Sequence, residues 1–216
     1  MDTNILITLK KYIPVGIVAI LLLGCERELD DLKPATFPNN PEVFIDGFSA
    51  GLNYSAFGGS VPTAFDVDNK ETWNNSKSSM RFDVPNADDP EGAYAGGVFS
   101  TEVGRDLSDY NALTFWAKAS QSAVLDLVGL GNDLGDSKYQ VTISGLQVST
   151  NWKKYFIPIP DPSKLTAERG MFFYSVGPAD GKGYSFWIDE VKFENLGTIG
   201  HPQPMILDGI DKEESA

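Results

Sequence analysis

Between Glu42 and Leu196, apolar and polar residues alternate in short runs broken by Gly, Asn, Asp and Pro. Such runs predict strands over Val43–Phe48, Ser79–Val84, Ala93–Thr101, Leu113–Ala119, Val124–Leu130, Tyr139–Ser144, Lys153–Ile159, Met171–Val176 and Ser185–Glu194. Short strands with turn signals every 8–12 residues or so predict an all-β fold, a two-sheet antiparallel β-sandwich. Only Ser163–Arg169 reads as helical, and no α/β alternation supports a nucleotide-binding sheet. Alternation also assigns faces. Met80, Phe82 and Val84 oppose Ser79, Arg81 and Asp83, and Leu113, Phe115 and Ala117 oppose Thr114, Trp116 and Lys118. Tyr139, Val141 and Ile143 oppose Gln140 and Thr142. The outward sets mix aromatic and polar groups, as a face for a polar ligand would.

The flanks have a different pattern. Residues 25–41 carry charges and Pro34, Pro38 and Pro41 with little apolar periodicity, which predicts a tether. Upstream, Lys10 and Lys11 precede the uncharged run Ile13–Gly24, which ends in Leu22-Leu23-Gly24-Cys25. That run falls short of the roughly 20 residues of a membrane-spanning helix and matches the apolar core of a signal peptide. Its ending resembles the bacterial lipoprotein signal, in which cleavage leaves a lipidated N-terminal cysteine. Residues 1–24 are therefore expected to be a signal peptide and Cys25 the lipidation site. The alternative, a free thiol behind a buried helix, sits poorly with the abrupt polar turn at Glu26, Arg27, Glu28, Asp30 and Asp31. Those acidic residues also resemble the surface-export signal of Bacteroidetes lipoproteins, which implies an outer-membrane protein facing the cell exterior.

Composition narrows the chemistry. Acidic residues outnumber basic ones 30 to 17 in the 216-residue chain, a net charge of −13. That balance repels a phosphate backbone and excludes nucleic acid as a partner. With one histidine (His201) and one cysteine (Cys25), a Ser–His–Asp triad could draw only on His201, and no Cys/His zinc cluster can form.

Four segments in order then carry a family resemblance: Phe-Ile-Asp-Gly-Phe (44–48), Asp-Leu-Ser-Asp-Tyr-Asn-Ala-Leu-Thr-Phe-Trp-Ala-Lys (106–118), Asn-Trp-Lys-Lys-Tyr-Phe-Ile-Pro-Ile (151–159) and Phe-Trp-Ile-Asp-Glu-Val-Lys-Phe (186–193). Over residues 42–196 the chain resembles non-catalytic carbohydrate-binding modules of the jelly-roll, galactose-binding-like group, including β-glucan- and xylan-binding ones. The resemblance implies a surface protein that captures a polysaccharide, with a β-glucan as the first guess, for a polysaccharide-utilisation system. Its implied partners are an outer-membrane glycan transporter and glycan-degrading enzymes. It also implies a structural Ca2+ between the first and last strands, held by Asp46 and Asp189, with the loop around Asn75–Lys77 adding backbone oxygens. Calcium takes roughly six to eight oxygens, and aspartates among apolar strand residues are costly to bury without compensation. The other reading of this pair is two strand-end aspartates facing water.

Sugars offer flat C–H faces to aromatic rings and hydroxyls to polar groups. Trp116, sharing its face with Thr114 and Lys118, is the leading candidate platform. Tyr94 lies near Gly96 and Gly97, where a ligand could approach the backbone, and Arg81, Asp126 and Gln140 are candidate hydrogen-bonding groups. Phe82, Phe99 and Phe115 are expected in the core, and Trp152 and Tyr155 fit packing at least as well as binding. Gly129–Leu134 lacks the last glycine of a dinucleotide loop, and Asp66-Val67-Asp68 starts a calcium loop without completing it. No Glu-x-Asp-x-x-Glu glycosidase pattern occurs, and His201 lies beyond the last predicted strand. The rivals are a small jelly-roll glycosidase or lyase, which needs paired carboxylates in a cleft, and a protein-binding adhesin, which needs an exposed apolar patch. Residues 197–216 read as a linker or tail, with Met205–Ile210 resembling entry into another strand.

Overall fold

The computed structural model describes residues 36–135 and 139–198, with the backbone of 205–206. The leader, Cys25, most of the tether, His201 and the end of the tail lie outside the described residues. The strands are β1 (Glu42–Phe44), β2 (Leu52–Ala56), β3 (Phe65–Asp68), β4 (Ser79–Val84), β5 (Ala95–Arg105), β6 (Ala112–Ala119), β7 (Ala123–Leu130), β8 (Val141–Val148), β9 (Lys153–Pro158), β10 (Glu168–Val176), β11 (Tyr184–Glu194) and β12 (Met205–Ile206). They form two antiparallel sheets, a jelly-roll-type sandwich. The larger, seven-stranded sheet runs β12-β9-β6-β11-β4-β3 with β1 beside β11, and the smaller, five-stranded one runs β2-β5-β10-β7-β8.

The core lies between the sheets and is built by the period-2 sets read from the sequence. Phe82 stacks on Phe186 at 4.7 Å and meets Tyr174 edge-on at 4.4 Å. Phe99 and Phe115 are equally buried. Tyr54 and Tyr174 reach across from the smaller sheet and satisfy each other through their hydroxyls at 2.9 Å, and burial pushes both phenols above their ordinary range. In β11 the period slips: Glu190 adopts φ +49°, so the inward series Tyr184, Phe186, Ile188 resumes at Val191 and Phe193.

Four segments differ from the sequence reading. β2 and β3 are strands where none was expected. Ser163–Arg169 is not a helix: Pro162–Lys164 makes one 3-10 turn, and Glu168 and Arg169 already belong to β10. The end of the expected tether is pinned to the sandwich, with Asp106 N–H donating to the Pro38 carbonyl (2.9 Å) and Phe193 N–H to that of Pro41 (2.9 Å). Buried Arg105 reinforces this by donating to the carbonyls of Asn40 (3.1 Å) and Glu42 (2.6 Å) and to the Ser49 hydroxyl (2.9 Å).

Candidate functional site

The two sheets turn quite different outer faces to solvent. On the larger sheet, register sets Arg81 and Lys118 on either side of Trp187 and places Trp116 between Asp189 and Lys154. This face is clad from within. The loop after β3 folds over it and lays Trp73 flat on Trp116, with ring centroids 3.5 Å apart and planes 14° from parallel. The Trp187 indole N–H donates to Asp68 (2.9 Å), and Lys118 pairs with Glu71 (2.7 Å) while sitting 5.5 Å over the Trp187 ring. Arg81 pairs with Asp83, and Lys154 with Glu194, which also accepts the Thr114 hydroxyl. Trp116, the leading candidate from sequence, therefore gives one ring face to Trp73.

The calcium candidates meet at that same loop. Asp46 and Asp189 both accept hydrogen bonds from the 73–78 segment. Asp189 is fully buried; its Oδ2 accepts the Trp73 N–H (2.9 Å) and the Ser76 hydroxyl (2.6 Å), and its Oδ1 the Glu190 N–H (2.8 Å). Hydrogen bonds to a charged group contribute about 1.5–3 kcal/mol each, so three of them offset much of this carboxylate's desolvation. Asp46 is exposed; its Oδ1 accepts the Lys77 N–H and its carbonyl the Ser78 hydroxyl. Among the described residues, no third His, Cys, Asp or Glu joins the pair to make a metal cluster. Two carboxylates would supply only part of a calcium shell, and carbonyls of residues 73–78 would have to supply the rest.

The outer face of the smaller sheet is open in chemistry. Its rows follow from the registers: Asn53 beside Ser100; then Ser55, Val98, Phe173, Gly129 and Thr142; then Gly96, Ser175, Leu127 and Ser144. Asn53, Ser55, Ser100, Ser144 and Ser175 make no side-chain hydrogen bond among the described residues. A strip of rings crosses these small polar groups. A Cβ on Gly96 would lie 2.5 Å from the Tyr94 ring and 3.2 Å from that of Phe57, so both rings occupy the space above that glycine. The Phe173 ring also lies over Gly129, but it is fully buried and presents no open face. The Tyr94 hydroxyl donates to the Gly58 carbonyl (3.0 Å), which holds the ring in place.

Tyr94 stands at one end of the β5–β10 pair, and Asp126 reaches that same end. The register of β5 with β10 carries Tyr94 alongside Gly177, whose N–H donates to Asp126 Oδ2 (2.7 Å). Burial, and then the Asp126 carboxylate, push the Tyr184 phenol up to about 12. Gln140 stands at the start of β8, its amide on the Thr142 hydroxyl (3.3 Å). Arg81 and Trp116 are on the opposite side of the sandwich and share no ligand with these three. Sequence reasoning missed Phe57, Asn53 and the serines. Their signal was available: serines and glycines at the outward positions of otherwise apolar strands.

A family model described as carbohydrate binding domain 30 matches residues 43–195. No curated protein matches the chain. Similar solved structures include the family 30 carbohydrate-binding module of the cellulosomal cellulase Cel9D-Cel44B of Clostridium thermocellum, at 16% identity over 75% of this chain and 96% of that one, TM-score 0.43. A family 11 carbohydrate-binding module from Clostridium thermocellum, in complex with a β-1,3-1,4-mixed-linked tetrasaccharide, is similar at 16% identity over 78% of this chain and 100% of that one, TM-score 0.46. A family 29 module from Piromyces equi is similar at 13% identity over 74% and 87%, TM-score 0.40.

Proposed function

Because this chain belongs to the carbohydrate binding domain 30 family, we propose that it captures a polysaccharide on the outer face of its smaller sheet and performs no chemistry on it. The observation that supports this most is the row of unbonded hydroxyl and amide side chains flanked by the half-buried Tyr94 and Phe57 rings. Rings offer apolar surface to the C–H faces of sugars, while Asn53, Ser55, Ser100 and Ser175 can exchange their water hydrogen bonds for bonds to sugar hydroxyls. Asp126 and Gln140 stand at the margins as further acceptors and donors. A β-glucan is the first ligand to try.

Lipidation of Cys25, attachment to the outer membrane, and work beside a glycan transporter and degrading enzymes complete the proposal; they rest on the Leu-x-Gly-Cys ending and the acidic residues behind it. Two or more acyl chains would make attachment stable. Calcium at Asp46 and Asp189 is proposed as a structural ion. A glycan array probed with the full chain in detergent, followed by product analysis on every hit, tests the reading. Binding of neutral polysaccharide without new reducing ends is expected, and release of sugar by protein free of contaminating activity would overturn it.

A further inference from the structure

Past Asn53 and Ser100 the polar face runs into two cavities that meet at Glu102 and Val103. The larger, about 800 Å3, lies between the end of β5, the loop at Asp133–Gly135 and the segment Lys164–Arg169. That is the size of a small-ligand site. The smaller, about 340 Å3, reaches back to Thr101 and Asn53. Phe37 and Val103, 47% and 62% exposed, leave apolar surface open in the larger one.

Buried polar groups stand against that apolar surface. Glu168 is 9% exposed; its Oε1 accepts the N–H groups of Arg169 (2.9 Å) and Gly170 (2.7 Å), and its other oxygen has no partner among the described residues. Burial above all pushes this carboxyl up, despite the two N–H donors, and the charge of Asp133 adds to the rise. Thr101, 5% exposed, carries the one buried side-chain oxygen among the described residues that lacks any hydrogen bond. Its side chain shares the inward face of Leu52, its partner in β2. Arg169 donates from Nε to the Thr101 carbonyl (3.2 Å), and its guanidinium lies 3.8 Å from Asp133. The walls are fixed: Arg105 ties down the segment that carries Pro38 and Ala50, and Gly104 lies so near Ala167 that a Cβ would come within 2.8 Å of its carbonyl oxygen.

We propose that these cavities hold the terminal sugar of a neutral glycan chain whose inner sugars lie on the sheet face. This rests on the reading of that face given above. The Phe37 ring packs on the C–H side of the terminal ring. Glu102 and Glu168 accept from its hydroxyls, and Arg169 donates to them. Anionic and cationic side chains both line the larger cavity, which suits an uncharged polyol better than an acidic or an amino sugar. The close contact of Gly104 with Ala167 closes the floor, so a chain ends there rather than passing through.

Mixed-linkage β-glucan and the tetrasaccharide cut from it share sugars and linkages but differ in the number of ends per site, and they are the test pair for the full chain in detergent. Phe37→Ala and Glu102→Ala, both at exposed side chains, should each weaken the tetrasaccharide by about tenfold, the scale of one lost stacking or charged contact, and leave the long polymer nearly unchanged. Tyr94→Ala should weaken both. If the two cavity variants alter neither glycan, or both alike, the end-binding proposal falls while the Tyr94 result still supports the face. If the wild-type chain binds neither glycan, and Tyr94→Ala accordingly changes nothing, the reading of the face falls and the proposal with it.

Discussion

Tyr94→Ala is the sharpest test of the binding face. The ring lies over Gly96 beside Phe57, tethered only by its hydroxyl at Gly58. A sugar stacked on it should contribute about 1–3 kcal/mol, by analogy with bases on aromatic side chains. At about 1.4 kcal/mol per decade, the substitution should weaken binding by about five- to a hundredfold. Two companions separate stacking from other effects. Tyr94→Phe keeps the ring and loses one hydrogen bond, so affinity should hold while stability falls by about 0.5–1.5 kcal/mol. Gly96→Ala leaves Tyr94 chemically intact, but its Cβ would sit 2.5 Å from the ring and must displace it, so affinity should fall as it does for Tyr94→Ala. Trp116→Ala, on the opposite face, removes the floor under Trp73. Loss of an aromatic pair and its buried area, about 2 kcal/mol, should lower the melting temperature by about 4–8 °C and leave affinity alone. Titration calorimetry on β-glucan with parallel thermal melts reads all four variants. Unchanged affinity in Tyr94→Ala, or a large affinity loss in Trp116→Ala without a drop in melting, would refute the assignment.

A chelator should lower the melting temperature of the wild-type chain, because an ion bound only to the folded state stabilises it; Asp189→Ala should abolish that response, and a melt indifferent to chelation would remove the calcium. Although burial alone would raise the Glu194 carboxyl, bonds from Thr114, Lys154 and Lys192 hold it below its ordinary 4.5. It therefore stabilises the fold above about pH 4.5, and that contribution is lost as pH falls through its lowered folded-state value; Glu194→Gln should flatten this acid limb of a stability–pH curve, and an unaltered limb would show the bonds to be inert. Prolonged incubation with bound polysaccharide should yield neither reducing sugar nor unsaturated product. Cys25→Ala should leave the membrane fraction or stay unprocessed, and unaltered fractionation would count against the anchor.

Much of the sandwich was legible because a half-buried strand announces itself by period 2. Ser79–Val84 runs as read, and Phe82, Phe99 and Phe115 fill the core. β3 escaped because Phe-Asp-Val-Asp pairs only with β4 at a sheet edge, so its outward carboxylates look like a broken metal loop. β2 escaped because two of its five residues, Leu52 and Tyr54, carry its inward apolar signal. The helical pattern at Ser163–Arg169 lost to tertiary pairing: Glu168 caps the N–H groups of Arg169 and Gly170, and the chain enters β10 instead. The candidate site fared less well for a related reason. Alternation separates inward from outward within one strand, but it does not say which sheet the strand joins, since that depends on pairing between distant segments. Trp116, Arg81, Tyr94, Asp126 and Gln140 were all outward or marginal, and the fold distributes them over two opposite faces.

Outward is also not the same as available, and here the energetics favour the smaller sheet. On the larger one, Lys118, Lys154 and Arg81 already hold carboxylates, and Trp187 and Trp116 are engaged by Asp68 and Trp73. A ligand there must break protein contacts before it makes its own. On the smaller sheet, Asn53, Ser55, Ser100, Ser144 and Ser175 make no side-chain hydrogen bond among the described residues. Short side chains such as serine have little rotamer freedom to lose on being ordered, and the rings beside them are fixed by Gly58 and by packing over glycines. Exchange of water for sugar hydroxyls on such a surface is close to neutral per bond, so the net gain comes from the rings. A surface of this kind binds weakly per sugar and gains by repetition along a chain, which is what capture of a polymer demands.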